Sequence, residues 1–399
     1  MSITLKPCSR IILQAADGSE YYSLAWDGTI DVVLKAGSGT ATAVHAGSTY
    51  HFAASDPAAT VAVPPVGGGG GGAPPGSQDT VTMAKGSAYP TLGAALLAIK
   101  PGGTVLVADG TYTMAECGTH VQMNATIKAV NHGRAIFDGQ QFNVDGTSGK
   151  PRGTWQKAIV HVSRNNAVVT FQGIAFCNAG DPSDNGNVYA AVYGEETGSV
   201  VLIDCLIDAC CDGVFGGTGA LDYTGIRVKF GETATNGLNQ PGYSHDVYWT
   251  GRSATETDCF HYGCVQGHTF KSRALASIIK GGLYRADNNA AINVPQGGTL
   301  TVSGAYIDML PGASANLITL GDDGPRNGPT SATFDGCVLV AGRNPCYVTC
   351  RDSGGLAAFT NTMQGFVNGA VIQTIGNVTG LTLSGSNSAP PIPTIPPSA

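Results

Sequence analysis

Five side chains that can transfer protons or bind anions recur at one interval in the middle of the chain. His245 and His268 are 23 residues apart, and Tyr248 and Lys271 are separated by the same interval. Arg273 follows Lys271 by two residues, so on a β-strand both side chains point to the same face. Histidine, tyrosine and lysine with shifted pKa values act as general acids and bases, and arginine binds carboxylates bidentately. This combination favours an acidic polysaccharide as the ligand.

Two interpretations of this patch stay open. In the first, the five residues form a catalytic site, with Asp246 of the same segment contributing to substrate binding. In the second, they are a solvated face, or they brace neighbouring strands through hydrogen bonds. Clustered titratable groups are enriched at functional sites, which raises the first interpretation to the level of the second.

A short sequence repeat predicts the elements that position these residues. Each copy has an apolar residue, a spacer, a Gly, Asp or Asn, a small residue, a spacer and another apolar residue. The third positions are Gly173, Asp204, Asp258, Gly281, Gly304, Gly336 and Asn361. Their intervals are 23 to 32 residues except one of 54, which we interpret as two coils with a degenerate copy between them. Apolar alternation within the copies and this period predict an all-β, right-handed parallel β-helix solenoid.

The remaining segments have different compositions. Residues 1–63 show short alternating runs separated by turn residues, which predicts a small antiparallel β module. A Gly/Pro-rich linker at 64–78 follows, then the β-helix at 79–386 and a Pro-rich tail at 387–399. Pro90 to Ile99 reads as a short amphipathic helix that caps the open end of the solenoid.

Composition excludes some functions. The net charge of −7 gives no support to nucleic-acid binding, and no apolar run is long enough to insert into a membrane. The eleven cysteines are an odd number, and Cys205, Cys259 and Cys337 share the small position of the repeat. We therefore expect a buried ladder of thiols rather than disulfides, and no metal site. The first residues also lack the features of a signal peptide.

Several segments resemble known β-helix proteins. Lys100 to Tyr112, following the predicted helix, resembles the opening of right-handed parallel β-helix proteins of the pectate-lyase-like superfamily. Gly242 to Tyr248 and Gly267 to Ala274 are similar to paired YSH and GHxxKSRA motifs of an uncharacterised bacterial β-helix family. Ile292 to Gly298 continues this match and adds Asn293 as a substrate-binding candidate. The superfamily includes polysaccharide lyases, hydrolases, epimerases and bacteriophage tailspikes.

The enzyme class stays open at this point. Uronate lyases of the superfamily often use basic residues, which Lys271 and Arg273 resemble, but the calcium-binding carboxylate cluster of many of them is not evident, so no cofactor is expected. A glycoside hydrolase needs two opposed carboxylates and is less favoured. Asp204, Asp208 and Asp212 form an acidic series in which Asp204 has a turn position, and Asp322 and Asp323 read as solvated loop residues.

The organisation of the chain suggests the biological role. A β module, a linker and a long β-helix predict a bacteriophage spike or fibre that binds, and in one form of the hypothesis depolymerises, a host surface polysaccharide. Residues 1–63 would contact other virion proteins, the resemblance implies a homotrimer, and the location would be the virion. The alternatives are a stand-alone lyase or epimerase acting on a uronic-acid polymer and a purely structural virion protein. A cytoplasmic or non-classically exported protein is the alternative for the location.

Overall fold

The computed structural model divides the chain into two compact units. One comprises Met1–Gly72 with Thr394–Ala399, and the other comprises Ala73–Pro393. The structure describes residues 76–140, 158–180, 189–217, 219–231, 244–287, 289–310, 316–342, 345–366, 372–381 and 391–393, and before residue 76 the backbone of six strands.

The six N-terminal strands form two small antiparallel sheets. The strands are β1 (Ser2–Leu5), β2 (Ile11–Gln14), β3 (Tyr21–Leu24), β4 (Ile30–Leu34), β5 (Thr40–His45) and β6 (Ser48–Ala53). Four strands pair in the order β1-β4-β5-β6, and β2 pairs with β3. The predicted antiparallel β module is confirmed, although β1 and β5 were not among the sequence runs that predicted it.

The larger unit consists of three long parallel sheets, which we number in the order in which the chain visits them. Sheet 1 contains β7 (Gln78–Met83), β8 (Ile99–Val107), β11 (Ala125–Ala129), β14 (Val168–Gln172), β17 (Ser199–Ile203), β20 (Asp222–Ile226), β23 (Ser253–Thr257), β26 (Ala276–Lys280), β29 (Thr299–Ser303), β32 (Ser331–Asp335), β35 (Leu356–Thr360) and β38 (Val378–Thr379). Sheet 2 contains β9 (Gly110–Thr113), β12 (Ala135–Asp138), β15 (Ile174–Cys177), β18 (Leu206–Asp208), β21 (Lys229–Phe230), β24 (Phe260–Cys264), β27 (Leu283–Ala286), β30 (Tyr306–Met309), β33 (Val338–Ala341) and β36 (Met363–Phe366). Sheet 3 contains β10 (Thr119–Val121), β13 (Ala158–Ser163), β16 (Ala190–Glu195), β19 (Asp212–Gly216), β22 (Val247–Trp249), β25 (Phe270–Ser272), β28 (Ile292–Val294), β31 (Ile318–Leu320), β34 (Cys346–Cys350) and β37 (Ile372–Gly376).

Each coil of the chain contributes one strand to each sheet, so neighbours within a sheet belong to successive coils. Every strand pair in these three sheets is parallel, as in the pairing of β22 with β25 and β25 with β28. This topology is a parallel β-helix, and it confirms the fold predicted from the repeat.

The first coil is covered by helices. Helix α1 (Leu92–Ala98) lies between β7 and β8, and the Thr91 hydroxyl accepts a hydrogen bond from the Ala94 amide at its N-terminus. Leu92, Ala95 and Leu96 are buried by α1, as expected for a capping helix. A second helix, α2 (Met114–Cys117), packs against β9 and α1. Within the described residues, no helix has the length and apolar character needed to span a membrane.

A left-handed residue marks the corner between sheets 1 and 2. Gly173, Asp204 and Asp258, which are third positions of the repeat, have φ values of 67°, 53° and 50°. Arg227 occupies the same corner with φ 50°. It is the degenerate copy inferred within the interval of 54 residues. Because positive φ favours Gly, Asn and Asp, this backbone requirement explains the residues at the third position.

The interior of the solenoid is apolar and closely packed. Phe171, Phe176 and Phe334 are among its fully buried side chains, and the Phe334 ring stacks on Phe359 with centroids 4.4 Å apart. Buried thiols occupy the position after the corner at Cys205, Cys259 and Cys337. Burial raises the pKa of the Cys205 thiol to about 12, so it stays protonated. These cysteines therefore act as small apolar side chains.

Candidate functional site

The predicted site lies on the outward face of sheet 3. Strand register places Tyr248 beside Lys271, Lys271 beside Asn293, and Asn293 beside Thr319 on successive coils. Alternation directs Val247 and Trp249 into the core, so Tyr248 points outward between them. The equal sequence spacing thus becomes a row of side chains across four coils.

Tyr248, Lys271 and Arg273 form the centre of the cluster. The Lys271 ammonium lies 5.1 Å from the centroid of the Tyr248 ring, and the Arg273 guanidinium carbon lies 5.3 Å from it. An Nη1 proton of Arg273 is donated to the Tyr248 hydroxyl oxygen. Two cations on one aromatic ring is the arrangement expected for cation–π contacts, and it places both next to the phenol.

The two histidines stack beside this centre. The rings of His245 and His268 have centroids 5.2 Å apart, and the His268 amide donates to His245 Nδ1 over 2.9 Å. His245 also packs edge-on against Tyr248, with centroids 5.2 Å apart. Since Nδ1 of His245 accepts a hydrogen bond, it carries no proton. The structure therefore brings together all five residues proposed as catalytic.

Asp212 is an additional carboxyl group at this cluster. It begins β19, is fully buried, and accepts a hydrogen bond of 2.7 Å from the His245 amide through Oδ1. Its Oδ2 has no hydrogen-bond partner within the described part of the chain. The acidic series in the sequence contained Asp212, but nothing distinguished it from its neighbours. Only the strand register shows that it supports His245.

Burial and mutual repulsion shift the titration of these groups. Burial, followed by the charge of Arg273, lowers the pKa of Lys271. Burial, followed by the charges of Lys271 and Arg273, lowers the pKa of His268 to about 3. Burial raises the pKa of Asp212 well above its usual range, and burial also raises the pKa of Tyr248, against the charge of Arg273. His268 is therefore neutral near pH 7, and the deprotonated amine of Lys271 is more accessible than in a solvated lysine.

Two acidic residues that the sequence suggested were solvated also join the cluster. Asp323 forms an ion pair with Arg273, and Asp322 accepts a hydrogen bond of 3.2 Å from Asn293 Nδ2. Both follow β31 in a turn. Asp323 is half-exposed, with 38% of its side chain accessible, so the pair leaves the Arg273 guanidinium open to solvent on one side. The predicted substrate-binding residue Asn293 thus contacts the same turn.

Asp246 faces a different part of the structure. Its side chain is fully buried and lies 3.0 Å from Nδ1 of His261. On the other side, His261 Nε2 lies 3.0 Å from Glu256, which accepts hydrogen bonds from Tyr223 and Tyr284. Asp246 therefore belongs to an interior polar network and is not brought to the outward cluster.

A metal is not needed to account for the cluster. Within the described ranges, no group of three or more His, Cys, Asp and Glu side chains is arranged to hold a metal ion. Chemically, the cluster offers a lysine with a lowered pKa, a phenol held by an arginine, and two neutral imidazoles. These are groups for proton transfer and for binding a carboxylate.

Comparisons with known proteins return parallel β-helix enzymes. A pectin methylesterase in complex with a hexasaccharide aligns with a TM-score of 0.44 and 10% identity over 76% of this chain and 94% of that chain. The A-module of a mannuronan C-5 epimerase from Azotobacter vinelandii gives 0.34 and 13% over 73% and 92%. The catalytic domain of an α-1,3-glucanase in complex with nigerose gives 0.39 and 12% over 95% and 83%.

Sequence comparisons do not add a family. No protein-family profile matches the chain, and no curated protein matches it by sequence. The structural likenesses are too distant to transfer an activity, so the function has to be argued from the cluster itself.

Proposed function

We propose that the outward cluster of sheet 3 binds an acidic polysaccharide and cleaves it by β-elimination at a uronic acid residue. The observation that carries the proposal is the placement of Lys271 and Arg273 on the ring of Tyr248. It supplies a base, an acid and a carboxylate-binding cation within one contact distance. The apposed neutral histidines and the buried Asp212 hold this arrangement in place.

The residues account for each proton in this reaction. The unprotonated Lys271 amine takes the proton from C5 of the uronate, whose carboxylate is bound by Arg273. The C5–H electron pair forms the C4=C5 double bond, and the C4–O bond breaks with its electrons on oxygen. Tyr248 gives its proton to that oxygen, because its hydroxyl oxygen already accepts from Arg273 and its own proton is free to be donated. Arg273 stabilises the resulting phenolate until the proton on Lys271 returns to it through solvent.

The test is cleavage of defined polymers by the full-length protein. Polygalacturonate, polymannuronate and polyguluronate are incubated with it, with dextran as the uncharged control. Ultraviolet absorbance reports the unsaturated product, and size-exclusion chromatography reports chain length. We expect product from at least one uronate polymer and none from dextran.

Variants assign the chemistry to the cluster. Lys271→Met and Tyr248→Phe are expected to lower the rate by about 100-fold or more, the usual contribution of a general acid or base. Lys280→Met is the matched control, because Lys280 is an exposed lysine at the end of β26 in sheet 1. Equal activity of all three variants, or no shortening of any uronate polymer, would contradict the proposal.

We also propose that the protein acts as a phage spike, with residues 1–63 attaching it to the virion as a trimer. The support is organisational: a separate antiparallel unit is followed by a Gly/Pro-rich linker and a long β-helix. The test is whether the full chain, but not a chain lacking residues 1–63, co-sediments with virions of a phage that carries it. Co-sedimentation of both would show that this module is not the attachment site, and a monomeric mass in solution would contradict the trimer.

A further inference from the structure

A polar depression opens beside the cluster on the same face of sheet 3. Its volume is about 220 Å³, and its lining includes His268, Asn289, Asn316, Asp322 and Arg351. At roughly 30 Å³ per water molecule, the space corresponds to about seven waters, which is comparable to a single sugar ring. Every one of these side chains carries a hydrogen-bonding group.

Arg351 differs from the other arginines near sheet 3. Arg273 pairs with Asp323, and Arg252 pairs with Asp222. Arg351 is exposed and forms no ion pair or side-chain hydrogen bond with any described residue, although Asp322 lines the same depression. An unpaired guanidinium presents a planar pair of donors that matches a carboxylate. The depression therefore contains a cationic group with no partner in the chain.

The other lining residues complete a site for a hydroxylated anion. His268 is largely buried, and its Nδ1 has no hydrogen-bond partner among the described residues. Asn316 donates to the Thr319 hydroxyl over 3.1 Å. The Asp322 carboxylate can accept hydrogen bonds from sugar hydroxyls, and the asparagine amides can accept and donate. Sugars with a carboxylate need both kinds of partner.

The spacing relates this depression to the cluster. Arg273 and Arg351 each follow the outward row of sheet 3 by two residues, after Lys271 and Thr349. The register passes from Lys271 through Asn293 and Thr319 to Thr349 in three strand steps. At about 4.8 Å per step, the backbones at the two arginines are about 14 Å apart. A single sugar ring does not span this distance, but an oligosaccharide does.

We propose that the depression at Arg351 is a second subsite of the polymer, which binds the carboxylate of a uronate two or more residues from the one at Lys271 and Arg273. The inference rests on the proposed function and adds its substrate class, a polymer with repeated acidic sugars. Arg351 is a binding residue here and takes no part in bond cleavage. Its effect therefore depends on ligand length.

The test is calorimetric binding of oligogalacturonates and oligomannuronates of two to six residues to the full chain. Tyr248→Phe serves as the background because it blocks cleavage. We expect Arg351→Gln to weaken binding of the longer oligomers by about tenfold, the effect of losing a charge-assisted hydrogen bond at an accessible site. Dimers should bind with unchanged affinity. Arg326→Gln is the matched control, since Arg326 is an exposed arginine of the neighbouring turn.

The outcomes separate the two proposals. Equal affinities of the Arg351→Gln and Arg326→Gln variants, or the same loss for dimers and hexamers, overturns the subsite while cleavage by the unsubstituted protein still supports the proposed function. If the unsubstituted protein neither binds these oligomers nor cleaves the polymers, both proposals fail. A retained cleavage rate on long polymers with a raised KM in Arg351→Gln would support the subsite.

Discussion

A buried charge network inside the β-helix gives the protein a calculable dependence on pH. His261 lies between Asp246 and Glu256, and all three side chains are inaccessible to solvent. Burial alone would lower the pKa of His261, but Glu256 and Asp246 outweigh it and raise the pKa to about 9. Histidine in an unfolded chain titrates near 6.5. The folded protein therefore holds a proton that the unfolded chain releases at lower pH.

The sign and size follow from this difference. Because the folded pKa is the higher one, the stabilisation is fully present below about pH 6.5 and is lost as the pH rises through about 9. At 1.36 kcal/mol per pKa unit, the change is about 3 kcal/mol. We expect the free energy of unfolding to fall by about that amount between pH 6.5 and pH 9.5. For His261→Gln, we expect a lower stability at pH 6.5, by about 3 to 5 kcal/mol, because the two carboxylates lose the charge between them.

Denaturant unfolding followed by tryptophan fluorescence measures both effects. Trp249 is a suitable probe because it is fully buried in the same part of the solenoid. His132→Gln is the control, since His132 lies in the turn before β12 and away from this network. The reasoning is wrong if the unsubstituted protein keeps its stability up to pH 9.5, or if His261→Gln shows the same decline with pH as the unsubstituted protein.

Three further predictions concern packing and the cluster. Gly216→Val is expected to destabilise the β-helix by about 1 to 3 kcal/mol, because a Cβ there would lie 2.5 Å from the Trp249 ring; thermal unfolding measures it, and an unchanged midpoint would contradict the packing. The cleavage rate should rise with pH through the lowered pKa of Lys271, and Arg273→Gln should move this limb to higher pH, since Arg273 repels the ammonium; pH–rate profiles test this, and an unmoved limb would argue against Lys271 as the base. Cys205 should resist thiol reagents in the folded protein and react after denaturation, because it is buried and protonated; rapid native labelling would contradict its interior placement.

Sequence spacing predicted both the fold and the central row of the site, for one physical reason. In a solenoid, residues separated by one coil become neighbours in a sheet, so the interval of 23 residues places Tyr248 beside Lys271. Periodicity alone is enough to derive such contacts. The same argument recovered the degenerate coil at Arg227, whose backbone adopts the left-handed conformation without the usual small residue.

Contacts made before strands and in turns could not be derived this way. Asp246 was placed beside the cluster by its position in the sequence, but β22 begins at Val247, so two-residue alternation does not apply to Asp246. Asp322 and Asp323 follow β31, and their contacts depend on a turn whose conformation no period specifies. Asp212 required the register between β19 and the segment before β22, which are 33 residues apart in the hydrogen bond from His245 to Asp212.

The left-handed corner between sheets 1 and 2 divides the coil into a constant and a variable part. One to two residues connect the strands there in coils from β14 to β36, as between β17 and β18 or β26 and β27. Differences in coil length therefore accumulate at the two other turns, and the histidines, Asp322 and Asp323 all lie beside those turns. Insertions at these turns can change which sugar is recognised without altering the ladder that holds the chain together. The architecture thus separates the evolution of ligand choice from that of folding, and a swapped turn should transfer specificity between such proteins.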